Sequence, residues 1–368
     1  MNRLINQPLL FLGLSLLLVN VAAAQLTTPR PSPAAELNQT IALTNITVNY
    51  SRPSVIRGNN DRTGQIWGTQ VPWGLAPNAF GNQKPMPWRA GANENTTISF
   101  STPVLIEGEP LSAGTYGLHM IPEENGTVTV IFSNNTSSWG SFWYEQSEDA
   151  LRVKVQMKDA PFTNVLTYQF TEVGLTSGTL ALMWEKQQIP VKLAVSQETI
   201  LAKFRDDLRG VQGFGWQGPL SAANYCLQNN INHEEAVKWA DQAIAANRTG
   251  QTLGMKAALL FQKGDTEAAV KTADEAKEIA TMNELNTLGY QLVGANQFEK
   301  AEEFFKLNIK RNPKVANGYD SLGECYVAMG KNDEAIKLFK KSLSMDPPPN
   351  VKLNSIANLK RLGVDYSE

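Results

Sequence analysis

The 368-residue chain carries a formal charge of −2, and the balance is even along it: 11 basic and 13 acidic residues over 25–195, 21 and 22 over 196–368. Neither half has the basic stripe that a nucleic-acid backbone requires, so that class of partner is excluded. Two cysteines, Cys226 and Cys325, cannot build a disulfide framework, and the length fits two domains.

The chain opens with Arg3 and an apolar run over 9–19, interrupted only by Gly13 and Ser15 and followed by Ala22-Ala23-Ala24. This predicts a secretory signal over residues 1–24, with Gln25 as the first mature residue. The run is too short for a membrane anchor and leads at once into a cleavage signal. No Cys stands at the cleavage region, which disfavours a lipoprotein. The expectation is an exported protein, periplasmic or secreted to the cell surface, with no later membrane-spanning segment.

Residues 25–195 are rich in Thr, Val, Gly, Asn and Trp, in short segments of alternating polarity. Strands are expected over 40–51, 96–100, 104–107, 114–121, 128–133, 151–156, 166–173, 178–184 and 189–194. Val153, Val155 and Met157 alternate with Arg152, Lys154 and Gln156, as a strand with one buried and one solvated face requires. Turn signals at Gly108-Glu109-Pro110, Glu124-Asn125-Gly126 and Ser177-Gly178 separate the strands. Many short strands with polar turns favour an antiparallel β-sandwich or jelly-roll-like domain.

An ordered series of motifs runs through this region: Tyr50-Ser51-Arg52-Pro53-Ser54, Ile66-Trp67-Gly68, Val71-Pro72-Trp73-Gly74, Trp88-Arg89-Ala90-Gly91-Ala92-Asn93, Ala113-Gly114-Thr115-Tyr116, Trp139-Gly140 and Leu151-Arg152-Val153. It resembles the domain-of-unknown-function family numbered 2911, found in exported proteins of Bacteroidota-type bacteria. The resemblance covers about residues 30–194 and implies a β-rich exported domain without an assigned activity. The chain departs from it by a longer insert at 74–87.

The motif aromatics Trp67, Trp73, Trp88, Trp139 and Trp143 fall in Gly-rich, loop-like segments. They either stack on a sugar or peptide or plug the ends of the sandwich. Arg52 and Arg89 could grip a carboxylate in a bidentate fork or tie loops through backbone carbonyls. Asn93 could touch a ligand or cap a turn. The chemistry of an enzyme is not legible. His119 and His233 are the only histidines and stand far apart in sequence. No metal-ligand spacing, nucleophile elbow or phosphate loop is present. No cofactor is expected, and no catalytic or metal-binding residue is assigned.

At about Val195 the pattern changes to Ala, Lys, Glu and Leu with helical period. Ser196 is a candidate cap for a connecting helix to about Arg209, and Gly210, Gly213, Gly215 and Gly218-Pro219 mark a linker, together 196–218. From 219 to 348 the chain repeats. Tyr319, Leu322, Gly323, Tyr326, Ala335, Phe339 and Pro347 stand 34 residues after Leu285, Leu288, Gly289, Leu292, Ala301, Phe305 and Pro313. Only the Gly330/Asn296 pair breaks the match. Two weaker units precede these, marked by Ala236 and Ala269, and 349–368 reads as a capping helix and tail.

These units resemble tetratricopeptide repeats, helix pairs stacked into a short solenoid. Phe305 and Phe339 are expected to fill the seam to the next unit. The cysteines lie three units apart, and units advance on the order of 10 Å each, so two buried free thiols are expected. In such arrays the first helix of each pair lines the groove, which by register places Tyr225, Asn286, Tyr290, Asp320 and Glu324 there. Asp320 and Glu324 have the wrong sign to grip a terminal carboxylate, so a neutral or basic peptide of an envelope protein is the expected partner. The whole reads as an all-β domain followed by an all-α repeat domain, acting as an exported, non-enzymatic interaction or scaffold protein. A saccharide- or peptide-binding β module and an unrecognised hydrolase stand as alternatives.

Overall fold

A computed structural model describes residues 28–366; the expected secretory signal over 1–24 lies outside the described residues. The chain divides between Ala194 and Val195 into two compact units.

The first unit is built from antiparallel strands. β1 (Ala34–Ile41), β2 (Thr44–Ser51), β5 (Thr97–Phe100), β8 (Gly114–Pro122), β9 (Thr127–Ser133) and β10 (Asp149–Gln156) form one sheet in that order. β11 (Lys158–Val173), β12 (Ser177–Ala194), β6 (Val104–Ile106) and β7 (Glu109–Leu111) form a second. β3 (Ile56–Arg57) and β4 (Asn60–Asp61) make a small separate ribbon. The core lies between the two sheets. Ile98, Leu118, Met120, Val130 and Phe132 of the first face Tyr168, Leu180, Leu182, Ile189, Val191 and Leu193 of the second. Tyr50 meets Tyr168 edge-on at 4.8 Å, and the buried Tyr168 hydroxyl donates to the Ala90 carbonyl at 2.9 Å.

Strand expectations change, most of all at three places. The 40–51 segment is two strands, because the chain reverses at Ala42, which takes φ 51 where Gly or Asn would have signalled a hairpin turn. The expected turn at Gly108-Glu109-Pro110 begins one residue earlier, at Glu107 and Gly108, and Glu109–Leu111 is an edge strand that tolerates Pro110. The polar run at 185–188 continues a single long strand. Glu185 takes φ 57 at an irregularity, and Gln187 and Gln188 pair with Asp159 and Lys158.

The second unit is ten helices. α1 (Gln197–Asp207) starts at Ser196, whose hydroxyl accepts from the Thr199 N–H at 3.0 Å. Leu201 and Phe204 of α1 pack into the first helix pair, so α1 belongs to this unit as its leading helix and is not a free connector. The short segment after it leads into α2 at Gln217, inside the expected linker. The pairs are α2 (Gln217–Asn229) with α3 (His233–Ala246), α4 (Gly250–Lys263) with α5 (Thr266–Lys277), α6 (Met282–Gly294) with α7 (Phe298–Arg311), and α8 (Ala316–Ala328) with α9 (Asn332–Leu343). α10 (Pro349–Arg361) closes the stack against α8 and α9.

Each pair closes on small residues. Ala236, Ala269, Ala301 and Ala335 are all fully buried. Phe305 lies on Gly289, where an added Cβ would stand 2.6 Å from its ring, and Phe339 lies on Gly323 at 2.8 Å. The two phenylalanines therefore fill the space inside their own pair first, a correction to the expected seam between units. The mismatched Gly330/Asn296 pair shares a conformation rather than a residue type. Both take left-handed φ, 74 and 58, as do Gly264 at 88 and Asn230 at 54 in the weaker units. Both cysteines are free and buried, and burial pushes their thiols up to about 11.

Gly289→Ala and Gly323→Ala each force a methyl into a phenylalanine ring. Each is expected to cost about 1–3 kcal/mol, read as a lower urea midpoint. Gly294→Ala, with open space at its Cβ position, should change stability far less and serves as the control.

Candidate functional site

The first helices of the pairs form one layer: α2 packs on α4, α4 on α6, α6 on α8 and α8 on α10, whereas second helices scarcely meet. The layer of first helices is thus the tighter, inner side of the stack. Two adjoining hollows of about 280 and 310 Å³ lie along α4 on this unit and share Leu227, Ala258 and Gln291. Their floor is Gly254 and Ala258. By register these stand 32 residues before Asn286 and Tyr290, so the hollow exists because this unit has almost no side chain where the next has an amide and a ring. Met255, Leu288 and Phe261 make apolar walls, and Gln251 and Gln291 bring amides. The Gln291 Oε1 is buried without a hydrogen-bond partner. The one acid there, Glu284, is committed to the N-terminus of α6, accepting from the Thr281 N–H at 2.7 Å. None of these hollow-lining residues was assigned to the groove from the sequence; Leu288 was read only as a repeat position. The 32-residue offset to Gly254 and Ala258 was the signal available.

The five groove residues named from sequence are placed elsewhere along the layer. Tyr225 packs edge-on against Phe204 of α1 at 5.2 Å. Asn286 is partly buried, and its Oδ1 has no partner. Tyr290 is 39% exposed, with its ring on Phe305 and its hydroxyl bonded to Ser321 at 3.0 Å and to Glu324. Burial and the Glu324 carboxylate raise its pKa. Asp320 is buried and held by α10: Asn354 donates to it at 2.8 Å, and Ser355 donates to its other oxygen. Asn354 also reaches Glu324 at 2.9 Å. Both acids are therefore satisfied within the chain, and the inference from their charge to a basic partner loses its footing. Burial raises the Asp320 pKa.

In the β unit the motif residues separate into three groups. Trp67, Trp88 and Trp184 contact one another at 5.8–6.3 Å as an internal cluster, and Trp73 lies against Gly68. Trp184 is buried, and Trp67, Trp73 and Trp88 are half-buried. Arg52 ties the two sheets, donating to the Leu166 carbonyl at 2.9 Å and to Thr167 at 2.7 Å, and is not available as a carboxylate grip. Asn93 takes φ 59, donates to the Ser32 carbonyl at 3.0 Å, and accepts from Arg89 through its own carbonyl, so it shapes a turn. Trp139 and Trp143 are exposed, at 52% and 50%, and Arg89 is half-buried beside them in the motif series. Phe80, in the insert at 74–87, joins them at 68% and was not foreseen.

The loop that carries Trp139 and Trp143 is tied to a partly buried polar network. His119 Nδ1 and Ser141 Oγ are 2.8 Å apart, and Tyr144 donates to Asp149 at 2.7 Å. The Ser–His spacing would suit nucleophile activation, but His119 is 2% and Ser141 1% exposed, so the pair is sealed from solvent. Two hollows of this unit, about 560 and 680 Å³, run along the second sheet and are lined by residues of mixed charge, including Glu107, Glu172, Lys154 and Lys192, without a convergent polar set. Among the described residues, no group of three His, Cys, Asp or Glu side chains is placed to hold a metal ion, and no helix is long and apolar enough to cross a membrane.

Burial, with the Arg89 charge nearby, holds His119 down at about 4 against the usual 6.5. Between those values the unfolded chain takes a proton that the folded chain refuses. Stability should therefore fall as pH drops from 6.5 to 4, with a His119 contribution of about 3 kcal/mol. Urea unfolding at pH 7 and pH 4.5 checks this. His119→Asn, which cannot titrate, should lose less stability on acidification than the parent, and an equal loss would place the origin elsewhere.

Comparison with known proteins adds the following. Residues 32–193 match the family described as "Protein of unknown function (DUF2911)". Residues 316–349 match "Tetratricopeptide repeat". No protein of curated function matches the chain. Among solved structures, it is similar to MamA, at 18% identity over 40% of this chain and 88% of that one, with a TM-score of 0.33. It is similar to YrrB, described as a TPR protein with an unusual peptide-binding site, at 18% over 43% and 82%, TM-score 0.32. It is also similar to a MamA fragment from Desulfovibrio magneticus RS-1, at 18% over 41% and 86%, TM-score 0.31. The chain carries a DUF2911 domain over residues 32–193 and, within its ten-helix second unit, a tetratricopeptide repeat over 316–349.

Proposed function

We propose that the protein is an exported, non-enzymatic interaction protein whose repeat unit receives an uncharged stretch of a protein partner in the cell envelope. The observation that carries this reading is the hollow along α4, floored by Gly254 and Ala258 and walled by Met255, Leu288 and Gln291. A floor without side chains lets a partner's backbone come close, and the unpartnered Gln291 Oε1 is an acceptor for a backbone N–H. Apolar walls with a few placed amides suit a peptide of small or apolar side chains. Glu284 is occupied by its capping role, so no free charge selects a charged ligand. Export rests on the sequence of residues 1–24 alone.

A photo-crosslinking amino acid at Ala258, in the full chain expressed in its own cell type, tests the reading. It should yield an adduct with a second polypeptide, whereas the same group at the exposed Lys271 should not. Ala258→Arg, placing bulk and charge in the hollow, should lower capture of that polypeptide at least tenfold while leaving the melting temperature within a few degrees. Absence of an adduct, or equal adducts at both positions, would rule the groove out as the docking site. Fractionation with N-terminal sequencing checks export, and a cytoplasmic chain retaining Met1 would remove the envelope from the proposal.

A further inference from the structure

The exposed rings of the β unit stand on a built support. Phe142 is its hub: its ring meets Phe80 at 5.5 Å and Trp143 at 6.4 Å, both edge-on, and the Arg89 guanidinium lies 4.8 Å over its face. Gly140 backs the guanidinium closely enough that an added Cβ would fall 2.2 Å from Cζ, and Trp139 is its chain neighbour. The insert is stitched to this loop. Asn78 donates to the Phe142 carbonyl at 2.9 Å, the Asn82 N–H to the same carbonyl at 3.1 Å, and the Asn82 amide to the Tyr144 carbonyl at 2.9 Å. Lys84 pairs with Glu145 at 2.6 Å. Gly81 takes φ 52, and any Cβ there would strike the Phe142 carbonyl at 2.0 Å. The rings are thus ordered by folding, so little side-chain entropy is left to lose on binding.

Arg89 supplies the second observation. Its one hydrogen bond goes from Nη1 to the Asn93 carbonyl, and among the described residues no carboxylate pairs with it. Neither Nε nor Nη2 is fully buried without a partner, but the side chain as a whole is half-buried, and burial lowers its pKa. A guanidinium held by stacking and left without a counter-ion offers its fork to a carboxylate. Three rings at these exposures open roughly 300 Å², well under the ~800 Å² per partner of a stable protein interface. That size favours a few saccharide units over a protein surface.

We propose that Phe80, Trp139, Trp143 and Arg89 form a binding site for an acidic saccharide, a glycan bearing uronate carboxylates. The rings take the apolar C–H faces of successive pyranoses, and Arg89 takes a carboxylate. The site is independent of the repeat groove. Titration calorimetry of the intact chain with polygalacturonate, and with its fully methyl-esterified form, tests it. Polygalacturonate should bind, and esterification should weaken binding at least tenfold. Phe80→Ala and Trp143→Ala, both on exposed rings, should each weaken it about fivefold or more with unchanged melting temperature. Arg89→Gln should abolish the preference for the acid form over the ester. Failure of the parent chain to bind polygalacturonate, or equal binding by Phe80→Ala and Trp143→Ala, overturns the proposal. So does tighter binding of an acidic peptide than of polygalacturonate. An Ala258→Arg chain should bind polygalacturonate as the parent does, which separates this outcome from that of the groove.

Discussion

The repeat unit depends on the contact between a small residue and the ring or methyl that faces it across each helix pair. Gly289 under Phe305 and Gly323 under Phe339 leave no room for a methyl group, and a fully buried alanine sits at the same place in each second helix. Helices can approach this closely only where side chains are missing. The close approach in turn fixes how the next first helix lies against the last, and so fixes the inner layer on which the groove forms. The groove is a by-product of the same device: in the second pair, the small residues Gly254 and Ala258 fall on the inner face as well as Ala257 on the buried one.

The ends of the stack determine which part of that layer stays open. At the leading end, α1 sets Phe204 between Tyr225 and Trp239 and covers the first pair. At the trailing end, α10 repeats the register of α6 and α8: Asn354 and Asn358 stand 34 residues after Asp320 and Glu324, and their amides satisfy those acids. A buried carboxylate left unpaired would be costly, so these amides are a structural need of the last pair. Both caps consume the layer from its ends and leave α4, in the middle, as the exposed remainder. The near-neutral chemistry of the open groove follows, because the charged residues of the layer are spent on closing it.

Most of the architecture was legible because it rests on periodicity. The repeat period, the four buried alanines and the strand alternation at 151–156 all come from burial on one face, which sequence records directly. The left-handed position shared by Asn230, Gly264, Asn296 and Gly330 was not read, because Gly330 and Asn296 differ in residue type and share only a backbone conformation. What stayed hidden depended on backbone geometry or on contacts distant in sequence. Ala42 turns a hairpin without a turn residue, and Glu185 sits at an irregularity inside a long strand. Asp320 looked free because its partners lie 34 and 35 residues away on a helix whose function was read only as a cap. The tryptophans could not be sorted by sequence, since buried and exposed rings stand in equally Gly-rich segments.

That sorting has a physical origin in where each loop is anchored. Trp88 is backbone-paired to Met120 of β8, and Trp67 bridges to Val71; both half-buried rings pack on the buried Trp184. The loop that carries Trp139 and Trp143 is instead pinned from below. Ser141 bonds the buried His119, Tyr144 bonds Asp149, and Asn135 receives the Asn95 amide through its carbonyl. With its polar side chains directed down into that network, the loop turns its aromatic ones outward, and the insert at 74–87 closes over its flank through Asn78 and Asn82. A network whose centre, His119 and Ser141, is buried is well placed to stiffen the loop it holds. The neutrality of His119 fits that role: an uncharged ring can lie near the Arg89 guanidinium without repelling it, and among the described residues that guanidinium has no carboxylate partner.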